Sequence, residues 1–298
     1  MSWGRREVLA AGLAGSLAGG LAPGAALGAI PDPVRAPGPA APRRVVSLNA
    51  CLDVILVHLA DRDQIAALSH YARDPGSSTI APLARTLPFT WESAEEVIAL
   101  RPDLVLASRH SAPATRNALQ RLGVRTERFS TPRTIAESLE QVARVAGLVG
   151  RSARGAALVA RIEAALSAAR PVPGTPPMTA LVYQPNGFSP GPGTLADELM
   201  TLAGFENVAR RYGLKSWGNV PLERLLADPP QVLLVGEPSP GLRSWADRVM
   251  THPALASLEG RMRQARLPEQ LLYCGGPVLI DAAGALAAAR RDLGARAT

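Results

Sequence analysis

Six aromatic residues, Tyr71, Trp91, Tyr183, Phe188, Trp217 and Tyr273, fall at the ends of periodic segments or in the loops between them. Rings at such positions are poorly placed for a core and suit the walls of a shared pocket. Polar side chains are interleaved with them. Asn49 and Cys51 follow one apolar run, His70 and Arg73 flank Tyr71, and Arg109 and His110 follow another run. Gln184 and Asn186 follow Tyr183, Glu237 follows a further run, and Cys274 follows Tyr273. Arginines make bidentate contacts with carboxylate, phosphate or catecholate oxygens, so Arg73 and Arg109 favour an anionic ligand. His70 or His110 could ligate a transition metal, although hydrogen bonding is the more ordinary role of a loop histidine. The pattern suits holding a large flat ligand rather than breaking a bond.

Other chemistries find less support. Nearly all the basic residues are arginines, Lys215 being the single lysine, and they are dispersed singly or in pairs. A nucleic-acid binder concentrates its basic residues on one element among aromatics, so nucleic acid is not expected as a partner. The four histidines and two cysteines lack the spacing of a metal site, and no site for a free metal ion or resident cofactor is expected. The run Gly191-Pro192-Gly193-Thr194-Leu195-Ala196 fits a loose Gly-x-Gly-x-x-Ala pattern. It lies too far from the preceding strand, and is too rich in proline, for the tight crossing that a pyrophosphate needs. An exported α/β enzyme with a nucleotide cofactor is therefore the alternative, and no catalytic residue is assigned. Cys51 and Cys274 admit three readings: small buried residues, a disulfide, or paired soft ligands. Free thiols are expected, because a bond across a cleft would oppose ligand exchange.

The elements that must position these residues alternate. Arg44–Leu48, Gln64–Leu68, Leu104–Ala107, Val124–Phe129, Thr179–Gln184 and Val232–Val235 read as strands. Leu52–Leu59, Glu95–Leu100, Ala114–Leu122, Ile135–Leu148, Ala153–Ala169, Leu195–Leu202, Leu222–Ala227 and Val278–Leu293 read as helices. Alternation of this kind argues for parallel sheets covered by helices. The prolines at 171, 173, 176 and 177 follow a long helix and mark a boundary. The expected fold class is α/β, with two Rossmann-like lobes, residues 43–150 and 173–298, joined by a long helix over residues 151–172.

The first residues read as an address. Arg5-Arg6 precedes an uncharged stretch rich in Ala, Gly and Leu that ends in small residues at Ala25–Ala29. This is the layout of a cleaved export signal over residues 1–28, of the twin-arginine or general secretory type. Residues 29–42 hold five prolines and read as an extended leader. Removal of the signal leaves 30 basic and 24 acidic residues, a mild +6.

One internal echo links the two expected lobes. Residues 95–107, Glu-Glu-Val-Ile-Ala-Leu-Arg-Pro-Asp-Leu-Val-Leu-Ala, align without gaps on residues 223–235, Glu-Arg-Leu-Leu-Ala-Asp-Pro-Pro-Gln-Val-Leu-Leu-Val. Each is a short helix opened by a glutamate, stopped by proline and followed by a strand. An acidic residue in a first helical turn is ordinarily there for the helix dipole. Here one such glutamate stands in each lobe.

Residues 95–107, together with Gly193-Thr194-Leu195-Ala196-Asp197-Glu198-Leu199 and Ala203-Gly204-Phe205-Glu206-Asn207-Val208, are similar to the periplasmic substrate-binding proteins of ATP-binding-cassette importers for iron-siderophore and cobalamin. Phe205 stands where a second glycine is usual in that family. The resemblance spans about Arg43 to Leu293. It implies two α/β lobes about one rigid helix, a metal chelate in the cleft, and a monomer that delivers it in the periplasm to a permease dimer and its ATPase. It further implies that Glu95 and Glu223 dock on the permease. Tyr71 resembles the ring-stacking tyrosine of a cobalamin-binder loop.

Overall fold

The computed structural model describes residues 41–236, 253–256, 258 and 260–295. The expected export signal, nearly all of the leader and Glu237 lie outside the described residues. In chain order the first half comprises β1 Val45–Leu48, α1 Ala50–Leu59, β2 Ile65–Ser69, α2 Ala81–Ala84, β3 Phe89–Thr90, α3 Ala94–Ala99, β4 Leu104–Ser108, α4 Pro113–Arg121, β5 Thr126–Phe129 and α5 Ile135–Leu148. Helix α6, Ser152–Ala168, leads to the second half: β6 Met178–Tyr183, β7 Phe188–Ser189, α7 Leu195–Leu202, β8 Phe205–Asn207, β9 Gly218–Asn219, α8 Leu222–Ala227, β10 Val232–Val235, α9 Pro253–Ala256, β11 Arg263–Arg266 and α10 Val278–Ala295.

Two parallel sheets result. The first has the order β3-β2-β1-β4-β5 and the second β11-β10-β6-β8, with β7 and β9 forming a separate antiparallel pair. Strands covered on both faces read as unbroken apolar runs. Val45–Leu48 and Leu104–Ala107 are accordingly buried throughout. The echo is structural: α3-β4 and α8-β10 are the same unit, and β4 pairs with β1 as β10 pairs with β6. Chain order reverses between β1 and β4, which opens a crevice beyond the carboxyl ends of those strands.

The largest apolar core does not stop at either sheet. It runs from Leu52, Ile55 and Leu56 of α1 through Val142 and Val145 of α5, then Leu158 and Ile162 of α6, to Val182 of β6 and Leu279 and Leu286 of α10. Close approaches hold this seam. Gly155 lies where any side chain would strike Ala146, and Gly276, with φ +63°, lies where one would strike Ile55. The Gly276 N–H donates to Ser138 Oγ at 2.6 Å, pinning the loop before α10 to α5. At the junction of α5 and α6, Arg151 and Arg154 both pair with Asp61 and hold its carboxyl below the usual range.

The pinned loop overturns the expectation of free thiols. Cys51, in the first turn of α1, and Cys274 are joined as a disulfide with their Cα atoms 5.1 Å apart. The two cysteines do not stand on opposite lips of a moving cleft. They lie instead on the seam, where the loop before α10 is already docked on α1 and α5, so the bond fixes a contact that need not open. A bridge over 223 positions removes much chain entropy from the unfolded state. Reduction, or Cys51→Ser with Cys274→Ser, is expected to lower stability by about 2–4 kcal/mol in urea unfolding; coincident curves with and without reductant would refute a stabilising role.

Candidate ligand-binding site

Asn49 sets the geometry at the end of β1. Its Oδ1 accepts the N–H groups of Cys51 and Leu52 at 3.1 and 3.2 Å, capping α1 so that the N-terminus of that helix stands at the end of β1. Asp53, in the same helix, is fully buried. Ser69 N–H and Oγ donate to its two oxygens at 3.2 and 2.5 Å. Burial outweighs those bonds and pushes the Asp53 carboxyl up to about 7, with the neighbouring Glu92 adding to the rise.

The segment after β3 presents one aromatic wall. Glu96 Oε2 accepts from Thr90 Oγ1 and from the Trp91 N–H, both at 2.7 Å, while Ser93 Oγ caps α3 by accepting the Glu96 N–H at 3.2 Å. Thr115 Oγ1 donates to the Glu92 carbonyl at 2.9 Å. These bonds hold Glu92 at φ +71°, a left-handed conformation that a residue with a side chain adopts at a cost. The turn throws Trp91 outward, 64% exposed, and Glu92 inward beside His70, whose Nδ1 lies 3.5 Å from Glu92 Oε1. Burial lifts the Glu92 carboxyl to about 7. The His70 ring lies 3.8 Å from that of Tyr71, which is 50% exposed, and 4.7 Å from that of Trp91.

The second half supplies its own pair. Phe188 of β7 stacks on Trp217, centroids 5.1 Å apart at 17°. The Phe188–Asn219 register, reinforced by the bond from Asn219 Nδ2 to the Asn186 carbonyl at 2.9 Å, holds the two loops together. Trp217 and Tyr273, with Arg133 and Thr194, line a recess of about 150 Å³. Tyr273, still 37% exposed, donates to Glu269, and burial and that carboxylate raise its phenol well above the ordinary value. Arg109 and His110 are exposed and line a larger basin of about 780 Å³ beside α5, which shares Thr131, Pro132 and Arg133 with the recess.

Three of the residues read from the sequence do not present an exposed side chain. Tyr183 is fully buried in the second-half core and donates to the Val220 carbonyl at 3.2 Å, its phenol pushed up to about 12 by burial. Strand alternation sends its ring to the interior face. Arg73 lies 3.8 Å over the Phe89 ring and donates to the carbonyls of Ala84 and Leu87, holding the loop after β2 rather than reaching outward. Gln184 is 2% exposed, and both polar atoms of its side chain are buried without a hydrogen-bond partner. Asn49 acts at the site through its helix cap. Arg133, Glu92 and Phe89 were not anticipated. Arg133 stands in a loop with no aromatic neighbour, and the inward turn of Glu92 depends on contacts from α4 that no local pattern announces. Glu95 and Glu223 are both exposed in first helical turns.

Two parallel sheets with aromatic residues near the carboxyl ends of their strands form the kind of frame on which open α/β folds hold ligands. Residues 45–260 match the periplasmic binding protein family, and the chain belongs to that family. A cobalamin-binding protein of Halobacterium salinarum is 28% identical over 200 residues, covering 65% of this chain and 54% of that protein. The chain thus spans about half the length of the curated relatives it matches. The periplasmic heme-binding protein RhuT of Roseiflexus sp. RS-1, in apo form, superposes with a TM-score of 0.65 at 26% identity over 83% of this chain and 98% of that one. The vitamin B12 binding protein BtuF of Vibrio cholerae shares the fold, with a TM-score of 0.65 at 18% identity over 85% and 98% of the two chains. Among the described residues no helix is long and apolar enough to cross a membrane.

Folding favours the protonated form of Asp53, so its contribution to stability is fully present below about pH 4 and is lost as pH rises through about 7. Asp53→Asn keeps the shape and removes the ionisation. It is expected to raise stability by roughly 1–3 kcal/mol at pH 8 and to leave it near wild type at pH 4.5. Equal shifts in melting temperature at both pH values would show that ionisation of Asp53 is not the cause.

Proposed function

We propose that this chain is an exported binding protein that captures a flat metal chelate, a corrinoid before a heme, and delivers it to an ATP-binding-cassette importer without chemical change. The observation that carries this reading is the pair of aromatic walls, Tyr71 with Trp91 on the first half and Phe188 with Trp217 on the second. Burying a large ring system between such walls supplies apolar contact area, and the surrounding polar groups fix orientation. The cobalamin-binding relative favours a corrinoid, and the heme-binding neighbour at 26% identity keeps heme as the alternative.

Under this reading residues 1–28 are a cleaved signal, 29–42 a leader, 43–150 and 173–298 the two lobes, and 151–172 the connecting helix of a monomer. Glu95 and Glu223, exposed at equivalent places in the repeated helix-strand unit, would dock on the two subunits of the permease. Glu95→Ala with Glu223→Ala should abolish uptake in cells and leave chelate affinity unchanged. A large loss of affinity in that double variant would assign the glutamates to the ligand.

Fluorescence titration with cyanocobalamin, hemin and a ferric siderophore tests the cargo. Trp91→Ala and Trp217→Ala are each expected to weaken binding of the true cargo by about tenfold or more, since base- or ring-stacking aromatics at a site contribute on the order of 1–3 kcal/mol. Unchanged affinity in both variants would remove the aromatic walls from the site.

A further inference from the structure

The Cys51–Cys274 bond stands where the seam meets the recess. Cys51 lies in the first turn of α1, just beyond the end of β1, and is partly exposed, whereas Cys274 is 6% exposed. Tyr273, the residue before Cys274, lines the recess of about 150 Å³ with Trp217 and Gly275. Cys51 Sγ lies 3.4 Å from the Tyr273 carbonyl, so the bridge rests against the backbone that carries that ring.

The rest of this loop is held unevenly. After Cys274, the Gly276 N–H donates to Ser138 Oγ at 2.6 Å, and Gly275 stands where any side chain would strike the same hydroxyl. Before it, the Leu272 N–H donates to the Glu269 carbonyl at 3.0 Å and the Tyr273 hydroxyl donates to the Glu269 side chain, both within one short segment. The glycines are thus docked on α5 without the disulfide, while the Tyr273 ring is held from within its own segment and joined to α1 through the bridge. Breaking the bond leaves the seam packed and loosens one wall of the recess.

We infer that the Cys51–Cys274 disulfide is a redox-sensitive latch on the ligand recess: intact, it holds Tyr273 in the binding arrangement, and its reduction by a dithiol frees that wall and weakens capture. This rests on the chelate-binding reading and adds control of the same site to it. Exposure sets the order of events, because the attacking thiolate must reach a sulfur and Cys51 is the open one. A thiolate of the dithiol forms a mixed disulfide with Cys51 and displaces Cys274, which takes up a proton in its buried position. The second thiol loses its proton and attacks the reductant's own sulfur in that mixed disulfide, closing the reductant's disulfide and releasing Cys51. Two electrons pass from the dithiol to the protein, and of the two protons it loses one goes to Cys274 and the other to Cys51 or to solvent. The released Cys51 stands at the positive end of α1, which favours the thiolate and so the reduced state. Coupling is mutual: a ligand that prefers the oxidised protein makes the bond harder to reduce by the same factor.

The test compares three samples of the full chain: oxidised, reduced with dithiothreitol and then freed of it under argon, and Cys51→Ser with Cys274→Ser. Each is checked by circular dichroism to be folded at the working temperature and titrated with cyanocobalamin, hemin and a ferric siderophore. The chelate that binds the oxidised protein is expected to bind the other two samples about tenfold or more weakly. Should the double variant fail to fold, reduced wild type decides. Glutathione added to ligand-free oxidised protein is expected to be found by mass spectrometry on Cys51 and not on Cys274, and saturating chelate should slow its attachment. Equal affinities in folded oxidised and reduced protein, glutathione on Cys274, or attachment at the same rate with chelate bound would each overturn the latch while leaving chelate binding intact. Unfolding of wild type on reduction would also overturn it, since the bond would then act on stability alone. Failure of all three chelates to bind the oxidised protein would overturn the chelate reading itself, and this inference with it.

Discussion

The continuous apolar core from α1 through α5 and α6 to α10 is the constraint on which the rest of the structure depends. A protein that binds between two α/β halves can either let the halves move freely or fuse them. Here Val142, Val145, Leu158, Ile162, Leu279 and Leu286 share one buried cluster. Separating the halves would expose those side chains at roughly 1.5–3 kcal/mol each. Gly155 and Gly276 allow the close approaches that seal the seam, and the Cys51–Cys274 bond crosses it. The aromatic and cationic groups can then be held by short loops, because the frame beneath them does not have to reorganise.

Helix caps and turns convert that frame into a site. Asn49 directs α1 away from the end of β1, and Glu96 folds back on Thr90 and Trp91 so that one side chain faces out and the next faces in. The left-handed Glu92 is the cost of that arrangement, and the Thr115 contact from α4 holds it in place. Two carboxyls, Asp53 and Glu92, end up desolvated near one another beneath the exposed rings, each lifted to about 7. Local stability has been given up at the place where ligand contact is expected, a pattern common at binding sites.

The regular elements were legible in the sequence because their burial is uniform. Parallel strands such as Leu104–Ala107 are apolar throughout, and helix ends carry capping residues and prolines. Strand β11 was not legible. Arg-Gln-Ala-Arg at 263–266 sits at a sheet edge, half covered, and is held to β10 by backbone hydrogen bonds that leave no apolar pattern. The site was legible by residue type and less so by direction. Tyr71, Trp91, Phe188, Trp217 and Tyr273 keep exposed or half-exposed rings at strand ends, whereas Tyr183 is one strand position too early and points into the core. Arg73 and Arg109 look alike in sequence. The first finds an aromatic ring and two carbonyls within reach and the second does not, a difference set by α2 and β3 rather than by neighbours in the chain.

A fused frame also changes how selectivity must be obtained. A hinged receptor can discriminate by closing only on the right ligand, so that specificity is expressed in the motion. A receptor whose halves share a core has little motion to use, and its discrimination must already be present in the open site. Preorganised groups lose little entropy when ligand arrives, so a few well-placed contacts count for more than area. That favours groups fixed in advance at the strand ends, such as the exposed rings of Tyr71 and Trp91 after β2 and β3 and the exposed Arg109 after β4. Rings alone accept any flat apolar face in either orientation. Adding charge at one end rejects ligands that lack its complement and fixes which way round the accepted ones lie, without requiring the protein to close.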